Sequence, residues 1–341
     1  MKAEAPDFWW RKAGWQAFCL GPFAAIYGAA ARRRLDGGER ADAGLPVLCV
    51  GNFTVGGGGK TPTALALGRA AIDLGLRPGF LSRGHGGAAR DAMLVDPERH
   101  GAALVGDEPM LLAAIAPTAI AADRKRGAAL LRAAGADLVI MDDGFQSARL
   151  RTDLSLLVVD AARGTGNGCV LPAGPLRAPL IDQIRHADAL LLVGEGEAGS
   201  LAVRSAARAG RPIHEARIVP RGVAALEGQR VLAFAGIADP EKLYRTLTAL
   251  GADVVATADF PDHHPLSGEE IAELRRSAER DGLVLVTTRK DAARLSGGDP
   301  SARAFAQEIE VLDVDLVFEP PTLAERLVRQ TIEAYKARQF R

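Results

Sequence analysis

Apolar runs of strand length recur along the chain, each followed by a turn and a stretch with helical spacing. Residues 46–53 form a β-rich apolar run, glycines follow, and a helical stretch covers residues 60–74. The same order returns in looser form, with strands predicted at 79–82, 119–122, 138–141, 154–159 and 189–193. Strand, loop and helix in alternation predict a parallel sheet with helices on its faces. The pattern breaks near 195–229. There Gly194, Gly196 and Gly199 precede a short Ala/Arg helix, and alternation over 213–223 predicts a two-stranded ribbon. Strands then resume at 231–235, 254–256, 283–287 and 311–317, and a last helix covers 322–338. The chain divides into an N-terminal helical segment (1–34), a first α/β lobe (35–212), a β-ribbon linker (213–228) and a second α/β lobe (229–341). The C-terminal helix is free to pack back on the first lobe.

A length of 341 residues agrees with two domains at roughly 150 residues each. Apolar residues make up 48% and charged residues 25%, the proportions of an ordinary globular chain, and three scattered cysteines supply neither a disulfide framework nor a thiolate metal site. The 42 basic and 42 acidic residues cancel, which argues against a nucleic-acid binder.

That zero hides an asymmetry. Residues 1–34 hold Lys2, Arg11, Lys12, Arg32, Arg33 and Arg34 against Glu4 and Asp7, a net +4 that leaves the remainder at −4. Trp9, Trp10 and Trp15, all of the tryptophans, lie in the same segment. Residues 13–31 carry no charge and are flanked by basic clusters. A cleaved signal peptide conflicts with the nucleotide motif described next, and Pro22, Gln16 and the Ala/Gly content weaken a membrane span. An interfacial helix with aromatic residues at headgroup level fits better, with a helix packed on the protein body through Gly14, Ala17, Gly21, Ala25 and Gly28 as the alternative.

Gly51-Asn52-Phe53-Thr54-Val55-Gly56-Gly57-Gly58-Gly59-Lys60-Thr61 lies between an apolar strand and a helix, the context of a phosphate-binding P-loop. Glycines let backbone N–H groups surround phosphate oxygens, Lys60 reaches the β- and γ-phosphates, and the Thr61 hydroxyl suits Mg²⁺. Thr54 stands where the Walker pattern has its first glycine. Asp142 and Asp143 end the apolar strand Leu138-Val139-Ile140-Met141, where two adjacent carboxylates repel unless a cation lies between them. A guanine-specific motif is out of register at Thr288-Arg289-Lys290-Asp291, so ATP is the expected nucleotide.

Further segments complete a pattern: Ser82-Arg83-Gly84-His85-Gly86, Gly106-Asp107-Glu108-Pro109, Asp142-Asp143-Gly144-Phe145-Gln146, Gly166-Asn167-Gly168, Leu171-Pro172-Ala173-Gly174-Pro175-Leu176-Arg177, Phe234-Ala235-Gly236-Ile237 and Asp262-His263-His264. In this order and spacing the chain resembles the tetraacyldisaccharide 4′-kinase family, the lipid A 4′-kinases of Gram-negative bacteria. One departure is His85, where the family more often has tyrosine.

The resemblance implies two α/β/α lobes, the first P-loop NTPase-like with a mostly parallel sheet, joined by a β ribbon. It implies an ATP-dependent phosphotransferase that converts tetraacyldisaccharide 1-phosphate to lipid IV-A, with the N-terminal helix on the cytoplasmic face of the inner membrane. No obligate protein partner is implied. The family's acting residues map onto Lys60 and Thr61, onto Asp107 as base, and onto His263 from the second lobe as its partner. Glu108 with Asp142 or Asp143 falls around Mg²⁺. Thr54, Gly56, Gly57, Gly58, Gly59, Arg83, His85 and Gln146 fall on the nucleotide side. Asn167 and Arg177 are assigned to the substrate, with loop tethering the alternative for Arg177. Two readings outside the family remain open: a P-loop GTPase or ATPase acting as a switch or metallochaperone, and a soluble small-metabolite kinase. On the residues alone, Asp107 also reads as a helix N-cap, and His263 and His264 in an extended stretch point apart.

Overall fold

The computed structural model describes residues 5–37, 40–56, 58–147, 149–221, 226–237 and 239–340. Twelve strands follow in chain order: β1 (Val47–Asn52), β2 (Pro78–Ser82), β3 (Met93–Leu94), β4 (Thr118–Ile120), β5 (Leu138–Asp142), β6 (Leu154–Asp160), β7 (Ala189–Val193), β8 (Ile213–Arg221), β9 (Arg230–Ala235), β10 (Asp253–Asp259), β11 (Val284–Thr288) and β12 (Glu310–Glu319). They form one sheet in the order β10-β9-β11-β12-β8-β7-β6-β1-β5-β2-β4-β3. Pairing is parallel except at β3 with β4 and β8 with β12.

Strands β1 and β5 are buried at every position, which explains why they read as unbroken apolar runs. Successive residues nevertheless serve opposite faces. Val47, Cys49, Val139 and Met141 join one core, while Leu48, Val50, Leu138 and Ile140 join another. The second lobe repeats the plan, with Leu232 and Phe234 packed on one side of β9 and Val231, Ala233 and Ala235 on the other. Each lobe is therefore an α/β/α sandwich.

The two-stranded ribbon predicted within 213–223 is corrected in its pairing. Residues Ile213–Arg221 form a single strand, and its antiparallel partner is β12, in register from Asp313 opposite Arg221 to Glu319 opposite Glu215. Residues 222–225 lie outside the described residues. Alternation marks a half-buried strand but does not say what pairs with it. Strand β12 also pairs in parallel with β11 through Glu310, Val311 and Leu312, so one strand belongs to both halves of the sheet.

The last helix, Leu323–Gln339, crosses back to the first lobe. Leu323, Ala324, Leu327 and Val328 share a core with Leu48, Val50, Ala64 and Leu67.

The N-terminal helix, Trp15–Asp36, buries Ala17, Gly28, Ala31 and Leu35. Its Arg32 donates to Asp182 at 2.7 Å and Asp36 meets His186 at 2.8 Å. Of the rest of the small-residue face, Gly21 is half-buried and Gly14 and Ala25 are exposed. Trp15, Phe18, Phe23 and Ile26 are also exposed, an unusual set for solvent. Among the described residues no helix is long and apolar enough to cross a membrane.

Candidate active site

Asn52 closes β1, and the chain loops back before entering the helix Lys60–Asp73. Gly56 and Gly59 adopt φ of 96° and 85°, left-handed values that glycine reaches without strain. Thr54 has no positive φ; it is buried and bridges Leu176 in an isolated antiparallel contact. An extended residue at that point needs no glycine, which accounts for the departure from the Walker pattern. Gly57 lies outside the described residues. Lys60 is buried, with Nζ 3.4 Å from the Gly56 carbonyl and 3.7 Å from Asp143 Oδ2. Burial pulls its ammonium down from the ordinary lysine range, and Asp143 opposes that pull. Gln146 steadies the loop by donating to the Asn52 carbonyl at 2.7 Å and to Gln183 Oε1 at 3.0 Å.

The two adjacent carboxylates have different surroundings. Asp142, at the end of β5 beside Val50 of β1, accepts the Thr61 hydroxyl on Oδ2 at 3.1 Å, and its Oδ1 is buried without a partner among the described residues. Burial, with Glu108 adding its charge, pushes Asp142 up to about 7. Asp143 sits in a left-handed conformation, φ 56°. Arg177 grips it as a fork, Nη1 to Oδ1 at 2.5 Å and Nη2 to Oδ2 at 3.0 Å. Burial raises Asp143, but Lys60, Arg177 and Arg124 outweigh it and hold the group at about 2. The orphaned Asp142 oxygen and the Thr61 hydroxyl are hard oxygen donors of the kind a divalent cation takes. Among the described residues no three His, Cys, Asp or Glu side chains form a metal cage.

Glu108 reaches across the lobe boundary to Lys290, Oε1 to Nζ at 2.9 Å. Burial raises its pKa, and Lys290 and Lys60 more than reverse this. Asp107, its neighbour, opens the helix Asp107–Ala113, where Gly106 and not Asp107 is the capping residue. The Asp107 side chain is therefore available, and it accepts or shares a proton with His263 Nδ1 at 2.7 Å. Burial opposes ionisation of Asp107, but His263, Arg294 and Lys290 hold it below the usual carboxylate range. His264 points away to Glu270 at 2.9 Å; the two rings are parted by a turn with His263 at φ 62°, where the sequence suggested an extended stretch. The His85 ring lies edge-on to His263 with centroids 6.2 Å apart.

An open cavity of about 550 Å³ runs from Tyr27 and Arg34 of the N-terminal helix to Val55, Asp143 and Gln146 beside the P-loop, with Arg83, His85, Arg124, Arg149 and Arg177 on its walls. Arg177 both lines this cavity and tethers the loop, through Asp143 and through Nε to the Thr54 carbonyl at 2.9 Å. Asn167 does not join the cluster. Its Nδ2 donates to the Ala173 carbonyl at 2.9 Å and its Oδ1 accepts from the Cys169 amide at 3.0 Å, which organises its own loop. Three residues of the site escaped the motif reading: Arg124, Lys290 and Arg294. The last two lie four positions apart on the helix Arg289–Ser296, a spacing that puts them on one face.

The model of the tetraacyldisaccharide-1-P 4′-kinase family matches residues 16–332. The chain belongs to the tetraacyldisaccharide 4′-kinase family. A tetraacyldisaccharide 4′-kinase of Agrobacterium fabrum is 50% identical over 341 residues, covering 100% of this chain and 98% of that protein. One from Rhizobium etli is 52% identical with the same coverage. Among solved structures, LpxK from Aquifex aeolicus in complex with ATP superimposes with a TM-score of 0.69 at 26% identity, covering 93% of this chain and 99% of that one. Membership in the 4′-kinase family makes the chain a phosphotransferase and favours neither the switch nor the small-metabolite kinase.

Proposed function

We propose that the protein transfers the γ-phosphoryl group of ATP to the 4′-hydroxyl of tetraacyldisaccharide 1-phosphate, giving lipid IV-A, at the cytoplasmic face of the inner membrane. The observation that carries this reading is the Asp107–His263 pair, assembled from both lobes next to Glu108, whose charge is felt at Lys60 and Asp142.

Phosphoryl transfer gains most of its rate from positioning and charge stabilisation. The amides of the glycine loop and the first turn of the helix Lys60–Asp73 surround the phosphates, and Lys60 neutralises charge on the β- and γ-oxygens. Thr61 and Asp142 fit Mg²⁺, with Glu108 near enough to contribute to its field; the bound ion supplies charge neutralisation on the phosphates. Asp143, fixed by Arg177, keeps Lys60 and the loop in place. Asp107 orients the sugar hydroxyl and takes its proton late in the transfer, and His263 sets the carboxylate's orientation and basicity.

The substrate brings acyl chains and a phosphate. The exposed Trp15, Phe18, Phe23 and Ile26 meet the membrane, and the arginine-walled cavity beneath the same helix receives the anionic headgroup. Transfer of radiolabel from [γ-³²P]ATP to purified tetraacyldisaccharide 1-phosphate tests the activity: labelled product from wild type and none from Lys60→Ala supports it. Absence of product from wild type, or undiminished product from Lys60→Ala, removes it.

A further inference from the structure

Asp107 has two partners on one oxygen. His263 Nδ1 reaches Oδ2 at 2.7 Å and Arg294 Nε reaches the same Oδ2 at 3.1 Å. Among the described residues Oδ1 receives no hydrogen bond. The histidine's hydrogen bond and the arginine's charge both fall on Oδ2, which leaves Oδ1 for a ligand.

Arg294 is itself nearly enclosed, its side chain 9% exposed; its Nε stands at ion-pair distance from Asp107 with no hydrogen bond among the described residues, and its two Nη groups are committed. Nη1 donates to the His264 carbonyl at 2.9 Å, and Nη2 donates to the Gly236 carbonyl at 2.8 Å and pairs with Asp291 Oδ1 at 2.8 Å. Asp291 Oδ1 also accepts the Gly236 amide at 3.0 Å, and the Gly236 carbonyl accepts the His263 amide at 3.1 Å. The guanidinium therefore ion-pairs with the base in the first lobe and hydrogen-bonds to both sides of the turn that holds His263 at φ 62° in the second. The glycine at 236 belongs to the same device, since a Cβ there would stand 2.9 Å from Arg294 Nη1. Two carbonyl hydrogen bonds and two carboxylate ion pairs from one planar group are what arginine provides and lysine does not. The other charged or titratable groups around the pair are Glu108, Lys290, Asp262 and His85.

We propose that Arg294 is the positioning residue of the phosphoryl-transfer site: it locks the Asp107 carboxylate and the His263 turn into one arrangement in which Oδ1 faces the acceptor hydroxyl. It acts through Asp107 and does not touch substrate. This inference rests on the kinase reading above.

Steady-state kinetics with ATP and tetraacyldisaccharide 1-phosphate test it. Arg294→Gln should lower kcat by about a hundredfold, the scale of a misplaced catalytic group, with KM for ATP unchanged. Arg294→Lys should retain an intermediate kcat, and added guanidinium should partly restore Arg294→Ala. In an Asp107→Asn background, Arg294→Gln should cost nothing further. The inference is overturned if Arg294→Gln keeps wild-type kcat. It is also overturned if the loss is equally large in the Asp107→Asn background and neither Lys nor guanidinium restores activity, which would mark Arg294 as a purely structural residue. A fully active Asp107→Asn would instead sink the catalytic reading of Asp107, which separates the two failures.

Discussion

Thr61 donates its hydroxyl to Oδ2 of Asp142 across 3.1 Å, while Oδ1 of the same carboxylate lies buried with no partner among the described residues. The folded protein thus holds an acid pushed from 3.8 up to about 7 by burial and by Glu108. Below about pH 4 the group is protonated in both the folded and unfolded chain and has no effect. Between about 4 and 7 only the unfolded chain releases the proton, so stability falls as pH rises. Replacing Asp142 with Asn should therefore stabilise the nucleotide-free protein at pH 8 by about 2–4 kcal/mol and by much less at pH 5, while abolishing phosphoryl transfer. Denaturant unfolding at the two pH values checks this; equal stabilities of variant and wild type at pH 8 would refute it.

Asp143 has the opposite sign. Although burial raises it, Lys60 and Arg177 hold it at about 2, so its contribution to stability is complete above about pH 4 and is lost as pH falls through about 2. Arg177→Ala leaves this half-buried carboxylate with only Lys60 and Arg124 for compensation. A loss of about 2–4 kcal/mol at pH 7 is expected, with a smaller loss near pH 3. Thermal melts at both values measure it.

Asp107→Ala and His263→Ala should each reduce kcat by about 10²–10⁴ and leave ATP affinity near wild type, because neither side chain belongs to the P-loop. The double variant should be scarcely worse than either single one, since the two residues act as a unit. Rapid-quench turnover measurements with a parallel nucleotide-binding titration provide the comparison, and near-normal turnover in both single variants would contradict the pairing.

Removal of residues 1–34 is a poor test of membrane association, because it also strips Ala31 from the core and breaks the Arg32–Asp182 pair. Substituting glutamine for Trp15, Phe18, Phe23 and Ile26 leaves the buried face intact. Flotation with vesicles containing anionic lipid should show the loss of binding in this variant with unchanged far-UV circular dichroism. Equal flotation of variant and wild type would refute the docking role.

Much of this organisation is legible in the chain, and the parts that are not share a cause. Strands β1, β5 and β6 read directly because burial on both faces demands unbroken apolar runs. The two-residue β3 has too few positions for any period to register. The partner of β8 is invisible because β12 lies almost a hundred residues away, and alternation is a property of one strand, not of a pair. Lys60, Thr61 and the glycines announce themselves by spacing. Arg294 does not, because its importance comes from three segments that meet only after folding: the helix start at Asp107 and the loops at Gly236 and His264. Asn167 shows the converse, a motif residue whose hydrogen bonds organise the loop that carries it.

The C-terminal helix has a consequence for the order in which the protein is made. Leu327 and Val328, fully enclosed against Leu48, Val50 and Leu67, supply on the order of 1.5–3 kcal/mol each to the core behind the P-loop strand. While a ribosome is still translating the middle of the chain, that surface has no cover. That face of the P-loop strand is covered only after the helix Leu323–Gln339 has emerged and folded back on it.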